Sequence, residues 1–309
     1  MTSETFTFTD HQGKNIYTYK WAPESTNHKG IVQLVHGIME HAGRYIHLAR
    51  ELTRNGYIVY AHDHQGHGMT DPDHLGFIDS PDGFTRMAEN IYDLNKLIRN
   101  HQPGVPVVVM GHSMGAALLM RALQLFRFSP EAVIYSGMPA KPPLTIYPGL
   151  FLVSSMAKIF GEHQLSPLFF KLIFGPYQQK FNPGRTHMDW LSRDVYVVDH
   201  YLAHPFCGFI CSYAMYRDLL RGLINLYRKN QFNNHPKESP VYIFGGSEDP
   251  VCRGEKGVHN LKKKLLKSGV SRVDIKLYTN GRHEMLQETN FDEVFAELIQ
   301  WIDQQIKYE

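Results

Sequence analysis

Ser113 stands in Gly111-His112-Ser113-Met114-Gly115, directly after the apolar run Val107-Val108-Val109-Met110 and directly before Ala116-Ala117-Leu118-Leu119. This is a G-x-S-x-G pattern between a buried strand and a helix, the setting in which a serine is thrust up on a turn too tight for side chains beside it. Gly111 and Gly115 supply that clearance, and the start of a helix favours negative charge developing next to Ser113. A hydroxyl attacks a carbonyl only if a base takes its proton, and the base needs an acid to orient it. Asp249, in Gly246-Ser247-Glu248-Asp249-Pro250, follows the apolar run Val241–Phe244 and is the acid candidate, with Glu248 as its alternative. His283, in Asn280-Gly281-Arg282-His283-Glu284 past Val273–Tyr278, is the base candidate. The order Ser, Asp, His, each after its own strand, matches the order such sites follow. The tetrahedral oxyanion then needs two backbone N–H donors: Met114, next to the nucleophile, and Ile38, which Gly37 allows to turn inward.

The elements that must position these groups are legible in the spacing. Phe6–Thr9 and Asn15–Trp21 alternate apolar with polar around the turn Asp10–Lys14, an antiparallel hairpin. Continuous apolar runs follow at Ile31–Val35, Tyr57–Tyr60, Val107–Met110 and Val133–Tyr135, separated by helical patterns over about 42–55, 84–101 and 114–126. From about Pro139 to Tyr213 the rhythm stops and short helical, aromatic, Pro-rich pieces replace it. It resumes after a helix near Tyr216–Lys229 and a polar loop at Gln231–Glu238, with Val241–Phe244, a helix near Lys256–Lys267, Val273–Leu277 and a last helix near Glu293–Ile306. The expectation is an α/β chain with a mostly parallel central sheet flanked by helices. A helical cap at 139–213 is inserted after the sixth strand, between core segments 1–138 and 214–309.

Composition narrows the field. The 309 residues are 43% hydrophobic and 20% charged, an ordinary globular balance. With 32 basic against 30 acidic side chains and no basic cluster beyond Lys262-Lys263-Lys264, a nucleic-acid partner is not expected. The polar start Met1–Phe6 lacks a secretory pattern, and Cys207, Cys211 and Cys252 form no paired framework, so a cytoplasmic protein with free core thiols is expected. Leu144–Phe160 is the longest apolar stretch, but Pro148, Gly149 and Lys158 interrupt it short of a membrane span. The 18 histidines raise a metal alternative, centred on His62-Asp63-His64-Gln65-Gly66-His67. A two-metal H-x-H-x-D-H site would need Asp where Gly66 stands, so no metal is assigned. His36, His62, His64, His67 and His112 are read instead as braces hydrogen-bonded to neighbouring loops.

His36-Gly37-Ile38-Met39-Glu40-His41-Ala42-Gly43-Arg44-Tyr45, Asp63–Gly68, the Gly111–Gly115 pentapeptide, Asp249 and His283 together resemble the monoacylglycerol lipase and lysophospholipase group of the α/β-hydrolase superfamily, relatives of the serine aminopeptidases. The resemblance runs nearly the whole chain. It implies a serine esterase with a lid and a buried tunnel for one acyl chain, and it requires no cofactor. Members commonly carry Arg where this chain has Gln65, so a loop-bracing ion pair from that position is not implied. The expected substrate is a single-chain lipid ester, monoacylglycerol or lysophospholipid, reached through transient contact of the cap with a membrane surface. The cap composition fits this, since Leu144–Phe174 offers few charged anchors for a polar substrate. The alternatives on this scaffold are an iminopeptidase-like serine peptidase, a short-chain carboxylesterase and a non-catalytic binding protein.

Overall fold

The computed structural model describes residues 1–25, 27–78 and 81–306. Eight strands form one sheet in the order β1-β2-β4-β3-β5-β6-β7-β8. The opening hairpin, β1 (Thr2–Thr9) and β2 (Asn15–Ala22), is antiparallel and joins β4 (Tyr57–His62) antiparallel. The parallel part comprises β4, β3 (Gly30–Val35), β5 (Val107–His112), β6 (Ala132–Ser136), β7 (Val241–Gly246) and β8 (Val273–Tyr278). Every residue of β3, β4, β5, β6 and β7 is buried, which is why their sequences read as unbroken apolar runs rather than alternating ones.

Both faces of the sheet are covered by amphipathic helices. On one side α1 (Ile46–Arg54) and α9 (Phe291–Gln305) bury Leu48, Leu52, Phe295 and Ile302 against Val32, Val59 and Met110. On the other, α2 (Gly83–His101), α3 (Met114–Phe126) and α8 (Gly254–Lys267) bury Ile91, Leu118 and Leu265 against Ile31, Val109 and Val133. Between β6 and β7 the chain leaves the sheet for α4 (Ile146–Phe160), α5 (Pro167–Gln179) and α6 (Val195–Ala203), then returns through α7 (Tyr213–Leu226), which packs on both α4 and α2. Ser166, Asp194 and Ser212 each accept a hydrogen bond from a first-turn amide, and those caps fix where α5, α6 and α7 begin.

Some boundaries depart from the sequence reading. β1 begins at Thr2 rather than Phe6, because pairing with β2 runs back to Ala22. The helix expected from residue 42 is a 3₁₀ turn, Ala42–Tyr45, before α1 proper, because the Ala42 amide is held by Asp63 Oδ1 at 2.7 Å. The helix expected over Tyr216–Lys229 starts three residues earlier, at the Ser212 cap. The loop at Gln231–Glu238 contains a 3₁₀ turn, Gln231–Asn234, that buries Phe232.

Strands β4 and β5 lie on opposite sides of β3, so the chain direction across the sheet reverses there. Crevices beyond the carboxyl ends of strands form at such a reversal. The loops after β3 and β5 carry Ile38 and Ser113 into this crevice.

Candidate active site

Ser113 has φ 53° and ψ −121°, a backbone that a non-glycine residue adopts only when its surroundings hold it there. Its amide donates to the Ser136 carbonyl at 2.9 Å, tying the turn to β6. The flanking glycines are required by contact: a Cβ on Gly115 would run into the Val35 and His36 carbonyls, and one on Gly111 would lie 2.5 Å from the Gly115 oxygen.

The three residues expected to work together do meet. Ser113 Oγ and His283 Nε2 are 2.8 Å apart, and His283 Nδ1 is 3.0 Å from both Asp249 oxygens. With Nδ1 donating to the carboxylate, Nε2 carries the lone pair that faces the hydroxyl. Asp249 is fully buried and accepts a further hydrogen bond from the Val251 amide at 2.8 Å. Burial by itself raises Asp249, yet the His283 charge and hydrogen bond outweigh it and hold the carboxyl below its usual range. Burial likewise pulls His283 down, while Asp249, Glu284 and Glu40 push harder the other way and leave it raised. Glu248, the alternative acid, pairs with Lys180 at 2.9 Å and is half-exposed, away from the histidine.

Ile38 and Met114 line the same cavity as Ser113 and His283. Met114 opens α3, so its amide has no carbonyl of its own helix to bind. The Ile38 loop is held rigid from beneath. Gly37 N–H donates to Glu40 Oε1 at 2.6 Å, Tyr45 O–H donates to the same oxygen, and Arg44 bridges Glu40 to both Glu284 oxygens at 2.8 Å. Burial raises Glu40, whereas for Glu284 the Arg44 guanidinium overcomes burial and holds the carboxyl below its usual range. Two carboxylates on one buried guanidinium leave the cluster with an excess of negative charge beside the His283 ring.

The bracing histidines separate into two kinds. The His64 amide donates to His36 Nε2 at 3.0 Å, which places the His36 proton on Nδ1, and Nδ1 meets the Gly37 carbonyl at 2.7 Å. His64 Nε2 returns to the His36 carbonyl, His67 Nδ1 meets the Gln65 carbonyl, and His112 Nδ1 meets Ser136 Oγ. Burial, reinforced by His283, pushes His112 down to about 3, so it stays neutral and exchanges no proton at ordinary pH. His62 corrects the expectation: neither ring nitrogen has a hydrogen-bond partner, and the ring packs edge-on against Phe8 and His64. Gln65 donates to Asp10 Oδ2 at 2.8 Å, and that carboxylate is paired with Arg86 at 3.1 Å, so this loop is braced through a neutral amide.

Several residues of the site were assigned no role from sequence. Asp63 holds the amides of Ala42 and Met69 at 2.7 and 2.8 Å, joining the loop after β3 to the loop after β4. Gly137, with φ 55°, lets the chain pass where a Cβ would meet His283 Cε1 at 2.9 Å. Trp190, between α5 and α6, packs its ring on His283 with centroids 5.2 Å apart. Glu40, Arg44 and Glu284 form the ion-pair cluster described above.

The cavity above Ser113 holds about 460 Å³, within the usual range for small-molecule sites. Away from the serine its walls are apolar, among them Ile146, Leu152, Phe169, Leu172 and Leu220. Among the described residues, Arg253 is the one Lys or Arg on its wall.

The sequence pattern of the family described as "Serine aminopeptidase, S33" matches residues 26–290. The chain belongs to this family. It is 26% identical over 297 residues to the monoacylglycerol lipase of Mycolicibacterium smegmatis, covering 94% of this chain and 93% of that one. It is 27% identical over 298 residues to the monoglyceride lipase of Homo sapiens, covering 94% and 88% respectively. A thermostable carboxyl esterase from Bacillus coagulans, whose crystal structure contains glycerol, superposes with a TM-score of 0.90 at 25% identity, over 99% of this chain and all of the esterase. The α/β-hydrolase fold, with eight strands and flanking helices, is the architecture expected from the sequence.

Proposed function

We propose that this α/β-hydrolase cleaves the carboxylic ester of a single-chain lipid, monoacylglycerol or lysophospholipid, by a two-step acyl transfer. The observation that carries the reading is the aligned chain of Asp249, His283 and Ser113 at 3.0 and 2.8 Å beneath an apolar cavity. His283 takes the Ser113 proton as Oγ attacks the ester carbonyl, and the Ile38 and Met114 amides hold the oxyanion. The same proton passes to the leaving alcohol, the acyl group remains on Ser113, and water repeats the sequence to free the fatty acid. No cofactor enters this scheme.

Residues 139–213 act in this reading as a cap whose inner face receives the acyl chain. The outer face supports contact with a lipid surface: Leu144, Phe151 and Ile159 are 82%, 76% and 72% exposed. A peptidase reading needs a free carboxylate to hold the substrate's amino group. Glu40 and Glu284 do border the cavity, but Arg44, Tyr45 and the Gly37 amide already occupy them, which favours the ester.

The test is a panel of monoacylglycerols, lysophospholipids, short p-nitrophenyl esters and aminoacyl arylamides. Long-chain single-acyl esters are expected to give the highest kcat/KM, and faster cleavage of the arylamides would overturn the reading.

A further inference from the structure

His41 closes the loop that begins at His36 and carries Ile38, and both of its ring nitrogens are shielded from water without a hydrogen-bond partner. A buried polar atom left unpaired costs roughly 1–3 kcal/mol, so two on one ring ask for an explanation. Beside it stand two side chains from the segment that joins α6 to α7. His204 follows α6, and its ring stacks on His41 with centroids 4.6 Å apart. Cys207 follows on the next turn and is only 7% exposed. One ligand atom from each of the three, two imidazole nitrogens and a sulfur, lies within 4.8 Å of the others. We propose that His41, His204 and Cys207 form a binding site for one borderline-soft divalent metal ion, with zinc the best match and water completing the tetrahedron.

The donor chemistry selects the ion. Two imidazoles and a thiolate suit zinc and its neighbours and discriminate against calcium and magnesium, which take oxygen ligands. Tetrahedral ligands on zinc stand roughly 3.3–3.6 Å apart, so the three atoms must close by about an ångström. Side-chain rotation supplies this, because the near-parallel rings must in any case turn for their lone pairs to converge. His204 is the ring better placed to turn, since it is half-buried, accepts one 3.2 Å hydrogen bond from the Phe206 amide at Nδ1, and otherwise packs loosely on His200 and Phe206 with centroids 5.6 and 5.9 Å away. Binding replaces the S–H bond of Cys207 by an S–metal bond and releases that proton to solvent. Arg44, the cation that faces both rings, is itself paired with Glu40 and Glu284, which offsets its repulsion of a bound ion.

The other histidine-rich turn does not compete. Among the described residues, the ligand-type groups that converge are this set and His11, Glu89 and Asp93, of which His11 is exposed and the other two half-buried, not His62, His64 and His67. The position suggests what an ion would do. His41 belongs to the core and His204 and Cys207 to the cap segment, and the two are already joined by Tyr201 O–H and Gly208 N–H donating to the Met39 carbonyl at 2.8 and 3.0 Å. A bound metal clips the cap to the loop that carries Ile38, one residue from that junction. The ion takes no part in acyl transfer, and the proposal is independent of the substrate.

The test is a titration of cobalt(II) into the full-length, tag-free, chelator-treated protein. One equivalent should produce a near-ultraviolet thiolate-to-cobalt charge-transfer band with tetrahedral visible bands, and zinc should displace it. Cys207→Ser should abolish the charge-transfer band, whereas Cys211→Ser and Cys252→Ser should keep it. His204→Gln, at a partly exposed position that leaves the core intact, should weaken zinc binding at least ~100-fold by equilibrium dialysis and guards against a Cys207 variant that fails to fold. No charge-transfer band below millimolar cobalt, or a band that survives Cys207→Ser, would overturn the proposal.

Discussion

At the scale of single residues, the proposed chemistry depends on the proton held between His283 and Ser113. His283 works as a base only when neutral, and its neighbours raise its proton affinity despite burial. The sign follows directly: activity is lost as pH falls through a midpoint above the ordinary histidine value of about 6.5. A pH profile of kcat/KM on a soluble ester checks this, and an acid limb centred below that value would contradict it. Asp249→Asn removes the largest opposing charge, so the residual activity should fall by about 10⁴-fold and its acid limb should move to lower pH. That Ser113, Asp249 and His283 meet was readable because each follows its own apolar strand in a fixed order. The cluster of Glu40, Arg44 and Glu284 was not, since its long contact spans 240 positions and nothing local marks the partner. Cutting one member strands the others in a buried place: Arg44→Met should lower stability by about 3–5 kcal/mol, measured by denaturant unfolding. A change under 1 kcal/mol would show that water reaches the pair.

At the scale of elements, the strand–turn–helix around Ser113 is the most sharply determined part of the chain. Gly115→Ala would place a methyl group among the backbone carbonyls of β3 and its loop, which cannot yield as a flexible side chain would. The expected result is a loss of about 1–3 kcal/mol together with a collapse of kcat, read by thermal unfolding and ester turnover. Normal values of both would show that the turn relaxes. The buried strands and the amphipathic helices were legible by period alone. The start of α1 was not, because a tertiary hydrogen bond from Asp63 replaces its first turn with a 3₁₀ turn. His62 was misread for a related reason: a polar side chain in a polar-looking motif ended at β4 in an aromatic setting.

At the scale of the whole molecule, an apolar cavity opens beneath helices whose outer faces are themselves apolar. Each methylene that fits inside adds about 0.8 kcal/mol, or roughly fourfold in kcat/KM, until the cavity is full. A homologous series of esters should therefore climb and then level, and a flat series would mean the chain does not enter. The outer face makes a separate prediction. Phe151→Asp with Ile159→Asp should reduce sedimentation with phospholipid vesicles at least ~10-fold while leaving hydrolysis of a water-soluble butyrate ester unchanged. Equal losses on both substrates would instead place these residues in the folding of the cap.

Whether Ser113 carries the acyl group between the two half-reactions can be read by mass spectrometry of protein quenched during turnover of a monoacylglycerol. The expected result is an adduct of one acyl mass on the peptide containing Ser113, absent from Ser113→Ala, with turnover in that variant down by at least ~10⁴-fold. Turnover by Ser113→Ala at the rate of the unaltered protein would contradict it.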